Sequence, residues 1–311
     1  MAARPKTEEL FEAFMVQLLR RLPITWASWL GGEIGARRGR AALKGTGLWV
    51  QRLRRNIAQF SGITDPDELD RRVIGFTRRI GQQYAEYTHL QRLYASGRVE
   101  VVGGEHLDVA GRPFILVSCH VANWEYVCAL AYKSADWTAL YLPLGRGIRQ
   151  KSVLDARKAW PGVGFIPASP SAARQLDRTL QQGKGLLIYI DEEKKGYVWG
   201  PSLGRALPYA GNRWLAARLA VRHDVNIIPV FVEYLGLAKY RVVVQPALER
   251  PAGMAGETLA RHLADQIDAR AEAWIRPRIE NWYWLPYFEA DAPCPIERSA
   301  TTSAKPNAVG A

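Results

Sequence analysis

The chain has 311 residues, 48% hydrophobic and 23% charged, which excludes a disordered or collagen-like polypeptide and allows one large α/β domain or two smaller ones. Its formal net charge of +12 calls for an anionic partner: nucleic acid, anionic lipid or an acidic protein. Cys119, Cys128 and Cys294 form no C-x-x-C pair and leave an odd count, which argues against a disulfide framework and for a reducing compartment.

Helices are predicted over 7–21 and 47–60. Between them lies LPITWASWLGG, apolar and carrying Trp26 and Trp29. From Ile34 to Thr64 there is no acidic residue, while Arg37, Arg38, Arg40, Lys44, Arg52, Arg54 and Arg55 all fall there. The apolar run is too short to span a bilayer. No other run is long enough, and no cleavable signal pattern opens the chain. A tryptophan-bearing segment ahead of a basic block suits a membrane interface over anionic lipid. A docked amphipathic helix with a solvated basic face fits the same residues.

A long helix is predicted over 66–95, with acidic residues in its first turn. RVEVVG (98–103) reads as the first strand. Strand and helix signals then alternate. FILVSC precedes a helix over 123–134, WTALYL one over 147–159, and VGFIP one over 170–182. GLLIYI is followed by a loop and the helix NRWLAARLAVRH. VNIIPVFVEYL and YRVVVQP meet at a short turn around Gly236, which predicts an antiparallel hairpin. A helix over 255–276 closes the domain. The pattern predicts an α/β fold with a mainly parallel central sheet flanked by helices. It divides the chain into an N-terminal helical, membrane-associating region (1–97), an α/β domain (98–288) and a disordered tail (289–311) rich in Ala, Ser, Thr and Pro.

FILVSC carries His120 out at the carboxyl end of a strand, where open α/β sheets place their ligand crevices. His120 and Glu125 are five residues apart; on one helix they would stand about 140° apart around the axis. They meet only if His120 lies on the turn and Glu125 in the first turn of the next helix, with Asn123 as its N-cap. Glu125 would then accept the imidazole N–H, leaving the other ring nitrogen to take a proton from a hydroxyl. A loop histidine near a capping glutamate is the plainer reading. Cys119 points to the opposite face of the strand from His120 and reads as core.

Several stretches in order then resemble the lysophospholipid acyltransferase-like superfamily, and within it the late acyltransferases of lipid A biosynthesis. They are VVGGEHL (101–107), CHVANWE (119–125), YLPLGRGIRQKSVLDARKAWPGVGFIP (141–167), GKGLLIYIDEEKKGYVWGPSLGRALPYAGNRWLAARLAVRHDVNIIPVFVE (183–233) and ENWYWLPYF (280–288). The resemblance covers roughly residues 15–288. It implies transfer of a fatty acyl chain from an acyl-carrier-protein or CoA thioester to a lipid hydroxyl, with His120 as general base and Glu125 as its partner. No cofactor or metal is implied.

Leu142 stands where the family usually has an arginine, so Arg146 and Arg149 become the candidates for stabilising the oxyanion. Asn123, Asp191 and Glu192 (both in the DEE stretch) and Arg205 (in LGRALP) are the further substrate-binding candidates, expected to position the acceptor or hold a sugar phosphate; loop structure for the acids and a surface arginine are the plainer readings. The helix start after Tyr209–Asn212 is a further anion candidate. Trp274, Trp282, Tyr283, Trp284, Tyr287 and Phe288 are expected either to form a lipid-facing rim or to pack around the last helix. The implied partners are an acidic acyl carrier protein, an anionic lipid acceptor and the cytoplasmic face of the inner membrane. Another lipid acceptor (a lysophospholipid, an ornithine lipid or a phosphatidylinositol mannoside) would use much the same residues. A basic nucleic-acid-binding protein is the alternative from charge, but no recognised nucleic-acid motif is present. A hydrolase using Cys119 lacks a G-x-S-x-G elbow.

Overall fold

The computed structural model describes residues 6–107, 112–132, 136–142, 148–158, 160–194 and 196–292, with the side chains of 6–13 and 148–152 excepted. The chain begins with helices α1 (Lys6–Arg21), α2 (Ile24–Leu43), α3 (Leu48–Ser61), α4 (Pro66–Glu86) and α5 (Leu90–Ala95). Strands β1 (Val99–Val102), β2 (Phe114–Ser118), β3 (Trp137–Tyr141), β4 (Val163–Pro167) and β5 (Gly185–Tyr189) follow. A small ribbon, β6 (Glu193–Lys194) with β7 (Tyr197–Val198), precedes β8 (Asn226–Gly236) and β9 (Lys239–Val244). The intervening helices are α6 (Ile148–Lys158), α7 (Ala172–Gln181), α8 (Gly211–His223) and α9 (Gly256–Ile275).

Among the described residues the main sheet has seven strands, in the order β1-β9-β8-β2-β5-β3-β4. All its pairs are parallel except the β8–β9 hairpin. The α/β class, the parallel sheet and the antiparallel hairpin agree with the sequence reading. Alternate strand residues feed two cores: Ile115, Val117, Leu186 and Ile188 face one layer, and Phe114, Leu116 and Leu187 the other. Both faces are covered, as the continuous apolar strands require. The predicted tail lies outside the described residues from 293 onward.

Two elements differ from expectation. The long helix ends at Glu86 and restarts at Leu90. The break lets the His89 ring Nε2 donate to the Leu19 carbonyl at 2.7 Å while its Nδ1 accepts from Arg92 at 3.1 Å, tying α1 to the turn. The expected helix after His120 is a 3-10 helix (Trp124–Tyr132) in which every residue but Tyr132 is buried. With no solvent face, it has no amphipathic period to read.

The apolar segment around Trp26 is helical as α2, packed on α4. Gly31, Gly35 and Gly39 face this contact, and a Cβ at Gly35 would run into the Thr77 carbonyl. Only glycine lets the two backbones approach so closely. The opposite face leaves Trp26 61% and Trp29 48% exposed, their rings edge to face at 6.1 Å. Arg37, Arg38 and Arg40 are also exposed. The docked helix and the exposed basic face are therefore both present. Among the described residues, no helix is long and apolar enough to cross a membrane.

Candidate active site

Strands β2 and β5 are parallel neighbours, with Ser118 opposite Tyr189. The Ile190 amide donates to the Ser118 carbonyl at 2.9 Å, so the two chains leave the sheet side by side. Two residues beyond the register pair stand His120 and Asp191. Asp191 is fully buried and accepts three hydrogen bonds. They come from the His120 backbone N–H (2.7 Å), the His120 ring Nδ1 (2.7 Å) and the Trp282 indole (2.9 Å). A buried carboxylate with three donors is a satisfied acceptor. The geometry assigns the Nδ1 proton to the Asp191 bond and leaves the Nε2 lone pair free. The Trp284 indole nitrogen lies 3.3 Å from Nδ1. In that tautomer Nδ1 has no lone pair to accept with, so this approach is a contact and not a hydrogen bond.

The loop after His120 is clamped by the Trp-rich C-terminal segment. The Tyr283 amide donates to the His120 carbonyl at 2.8 Å, and the Ala122 amide donates to the Asn281 carbonyl at 2.9 Å. Ala122 sits at φ 53, a left-handed conformation unusual for alanine that the clamp holds. Aromatic rings wall the imidazole: Tyr189 at 4.5 Å, Trp124 at 4.9 Å, Trp284 at 5.6 Å and Tyr283 at 6.4 Å. The His120 side chain keeps 21% exposure, so it is reachable. The aromatic segment thus divides its work: Trp282 and Phe288 are fully buried, while Tyr287 is 44% exposed.

Glu125 does not accept the imidazole N–H as the sequence predicts. It is buried, and Arg157 from α6 holds it with two bonds, Nε to Oε2 at 2.9 Å and the terminal nitrogen to Oε1 at 2.5 Å. The Tyr87 hydroxyl adds a longer bond at 3.4 Å. A buried carboxylate needs a cation, and the forked guanidinium satisfies both oxygens. Burial opposes the Arg157 charge, but the Glu125 carboxylate more than offsets it and holds the guanidinium above its usual range. The imidazole partner is Asp191, a residue the sequence suggests for positioning the acceptor. Arg157 had no signal of its own among the basic residues of α6.

Other expectations are also revised. The Asn123 side chain is buried and donates to Glu86 at 3.0 Å, so it is not free to meet a substrate. Glu192 Oε1 accepts the Asn212 amide at 2.6 Å, closing the start of α8 to an outside anion. Burial pushes the Glu192 carboxyl up to about 8, with the Asn212 amide pulling the other way. Arg205 binds the Val198 carbonyl at 2.7 Å and stacks on Tyr197 and Phe288, at 4.8 and 4.2 Å from their ring centres. It braces the loop from inside. Arg146 lies outside the described residues, and Arg149 is placed only by the backbone of α6. Among the described residues, no group of three or more His, Cys, Asp and Glu side chains is placed to hold a metal ion.

Cys119 is fully buried, and burial pushes its thiol well above the usual range, so no thiolate is presented. Cys119→Ala is expected to retain most of the wild-type turnover. A trapped acyl-Cys119 adduct in mass spectrometry would contradict this assignment.

A family model described as bacterial lipid A biosynthesis acyltransferase matches residues 7–287. The curated proteins give no match. Among solved structures, the 1-acyl-sn-glycerophosphate (LPA) acyltransferase PlsC from Thermotoga maritima is similar at 16% identity. That match covers 63% of this chain and 82% of that chain, with a TM-score of 0.38.

Proposed function

The chain belongs to the bacterial lipid A biosynthesis acyltransferase family, and from that premise we propose that it moves a fatty acyl chain from an acyl-carrier-protein or CoA thioester to a hydroxyl of a lipid A precursor. The observation that carries the mechanism is the bond from His120 Nδ1 to buried Asp191 at 2.7 Å. With Nδ1–H fixed there, Nε2 takes the proton of the acceptor hydroxyl as its oxygen attacks the thioester carbonyl. The C–S bond breaks, and the imidazolium returns the proton to the leaving thiolate. Asp191 stabilises the imidazolium throughout. Base help of this kind contributes on the order of 10²–10⁴ in rate. The aromatic wall keeps water from competing with the acceptor. Glu125 supports the arrangement by pinning the 3-10 helix after His120 to Arg157.

The test is to incubate membranes holding the protein with labelled acyl carrier protein thioester and lipid acceptors. Acylated lipid is expected. Free fatty acid alone would mark a hydrolase, and neither product would return weight to a non-enzymatic basic protein. Mass spectrometry of lipids from cells lacking the protein would name the acceptor and its position, and would separate a lipid A precursor from the other lipids.

Its place is proposed to be the cytoplasmic face of the inner membrane, attached through α2. The support is the exposed Trp26 and Trp29 beside exposed Arg37, Arg38 and Arg40. Each basic residue near an anionic surface contributes about 1 kcal/mol, screened by salt, whereas apolar insertion is not screened in that way. High salt is therefore expected to release only part of the protein from anionic liposomes. Charge reversal at Arg37, Arg38 and Arg40, or polar replacement of Trp26 and Trp29, is expected to weaken sedimentation without harming the fold. Binding that ignored both lipid charge and salt would contradict this attachment.

A further inference from the structure

Glu86 is the last residue of α4 and is fully buried, yet among the described residues no cation is one of its hydrogen-bond partners. The Ser28 hydroxyl donates to Oε1 at 2.6 Å. The Asn123 amide and the Tyr240 hydroxyl donate to Oε2 at 3.0 and 2.7 Å. These partners come from three separate places: α2, the loop after His120, and β9. Burial pushes the Glu86 carboxyl up, with the three hydrogen bonds pulling it back. A buried polar group this well satisfied fixes the elements it joins.

Two details make the join directional. Ser28 lies on the inner face of α2, between the outward-facing Trp26 and Trp29 in sequence. Asn123 has no hydrogen-bond partner for its side-chain oxygen among the described residues, so Glu86 is the anchor of its amide. One carboxyl group thus connects the tryptophan-bearing helix to the residue three beyond His120.

We propose that Glu86 is a positioning residue that couples α2 to the catalytic loop, so that the seating of α2 sets the geometry of His120. The proposal rests on the acyl-transfer reading of His120. Glu86 does not touch the reacting atoms; it acts through Asn123 on the loop clamped between Asp191 and Trp282.

The experiment compares Glu86→Ala, Glu86→Gln, Ser28→Ala, Asn123→Ala and the Ser28→Ala/Asn123→Ala double variant in the full chain on anionic vesicles. Glu86→Ala is expected to lower kcat about tenfold with KM little changed. Glu86→Gln, which keeps the size and most of the hydrogen bonding, should recover kcat to within about threefold of wild type. Losses from Ser28→Ala and Asn123→Ala should be non-additive, because both act through one carboxyl. A second readout needs no substrate: the rate at which diethyl pyrocarbonate modifies His120, resolved by peptide mass spectrometry. That rate should change in Glu86→Ala and return in Glu86→Gln.

A lower melting temperature with wild-type kcat and wild-type His120 labelling would overturn the proposal, as would additive losses in the cycle. Should Glu86→Ala fail to fold, Glu86→Gln and the cycle still decide. Should the wild type show no acyl transfer, the functional reading fails, and His120 labelling alone decides whether Glu86 holds the loop.

Discussion

Asp191→Asn is expected to lower kcat by roughly 10²–10⁴ while KM for the acyl donor changes little. The carboxylate accepts three N–H groups at 2.7, 2.7 and 2.9 Å. An asparagine supplies one oxygen and one NH₂ group, so at least one donor would face another donor. The ring would then turn or take the other tautomer, and the Nε2 lone pair would be lost from the acceptor side. The imidazolium formed during attack would also lose its counter-charge. Trp282→Phe removes only one of the three donors and should cost less. Steady-state kinetics on folded protein provides the check. Wild-type kcat in Asp191→Asn would mean that His120 works without a carboxylate partner.

Both members of this pair were visible in the sequence as polar residues at the ends of apolar strands. Their pairing was not, because sequence patterns identify strands but not strand order. Seventy-one residues separate His120 from Asp191, and only the β2–β5 register brings them level. Glu125 drew attention because it is near His120 in sequence, yet burial gave it to Arg157, 32 residues away. The class of fold and the hairpin were legible because apolar runs, turns and helical periods are local. Arg205 reads in the sequence as a loop cation that could hold an acceptor phosphate or simply face solvent; its stacking on Phe288 depends on a segment more than eighty residues later. The close approach of Gly31, Gly35 and Gly39 to α4 could not be read from the sequence, since a helix seam of small residues has no hydrophobic signal.

Glu125→Ala is expected to destabilise the fold by about 3–5 kcal/mol, because it leaves the Arg157 guanidinium buried without its partner. The side chains of Glu125 and Arg157 are only 2% and 14% exposed, so solvent screens the pair weakly. Denaturant unfolding should show a lower midpoint at unchanged slope. A double replacement, Glu125→Leu with Arg157→Met, should recover much of the loss, since it removes both charges together. Activity per folded molecule should fall far less in Glu125→Ala than in Asp191→Asn. The opposite ordering, with normal stability and collapsed kcat, would restore Glu125 as the partner of the imidazole.

His120 Nε2 is proposed as the base that activates the acceptor hydroxyl. This role is tested most directly by single-turnover transfer of a labelled acyl chain from acyl carrier protein to the lipid acceptor, comparing wild type with folded His120→Ala. Folded His120→Ala is expected to bind vesicles like wild type but to form acylated lipid roughly 10²–10⁴ times more slowly, the loss expected for a missing base. Transfer at the wild-type rate by folded His120→Ala would contradict it.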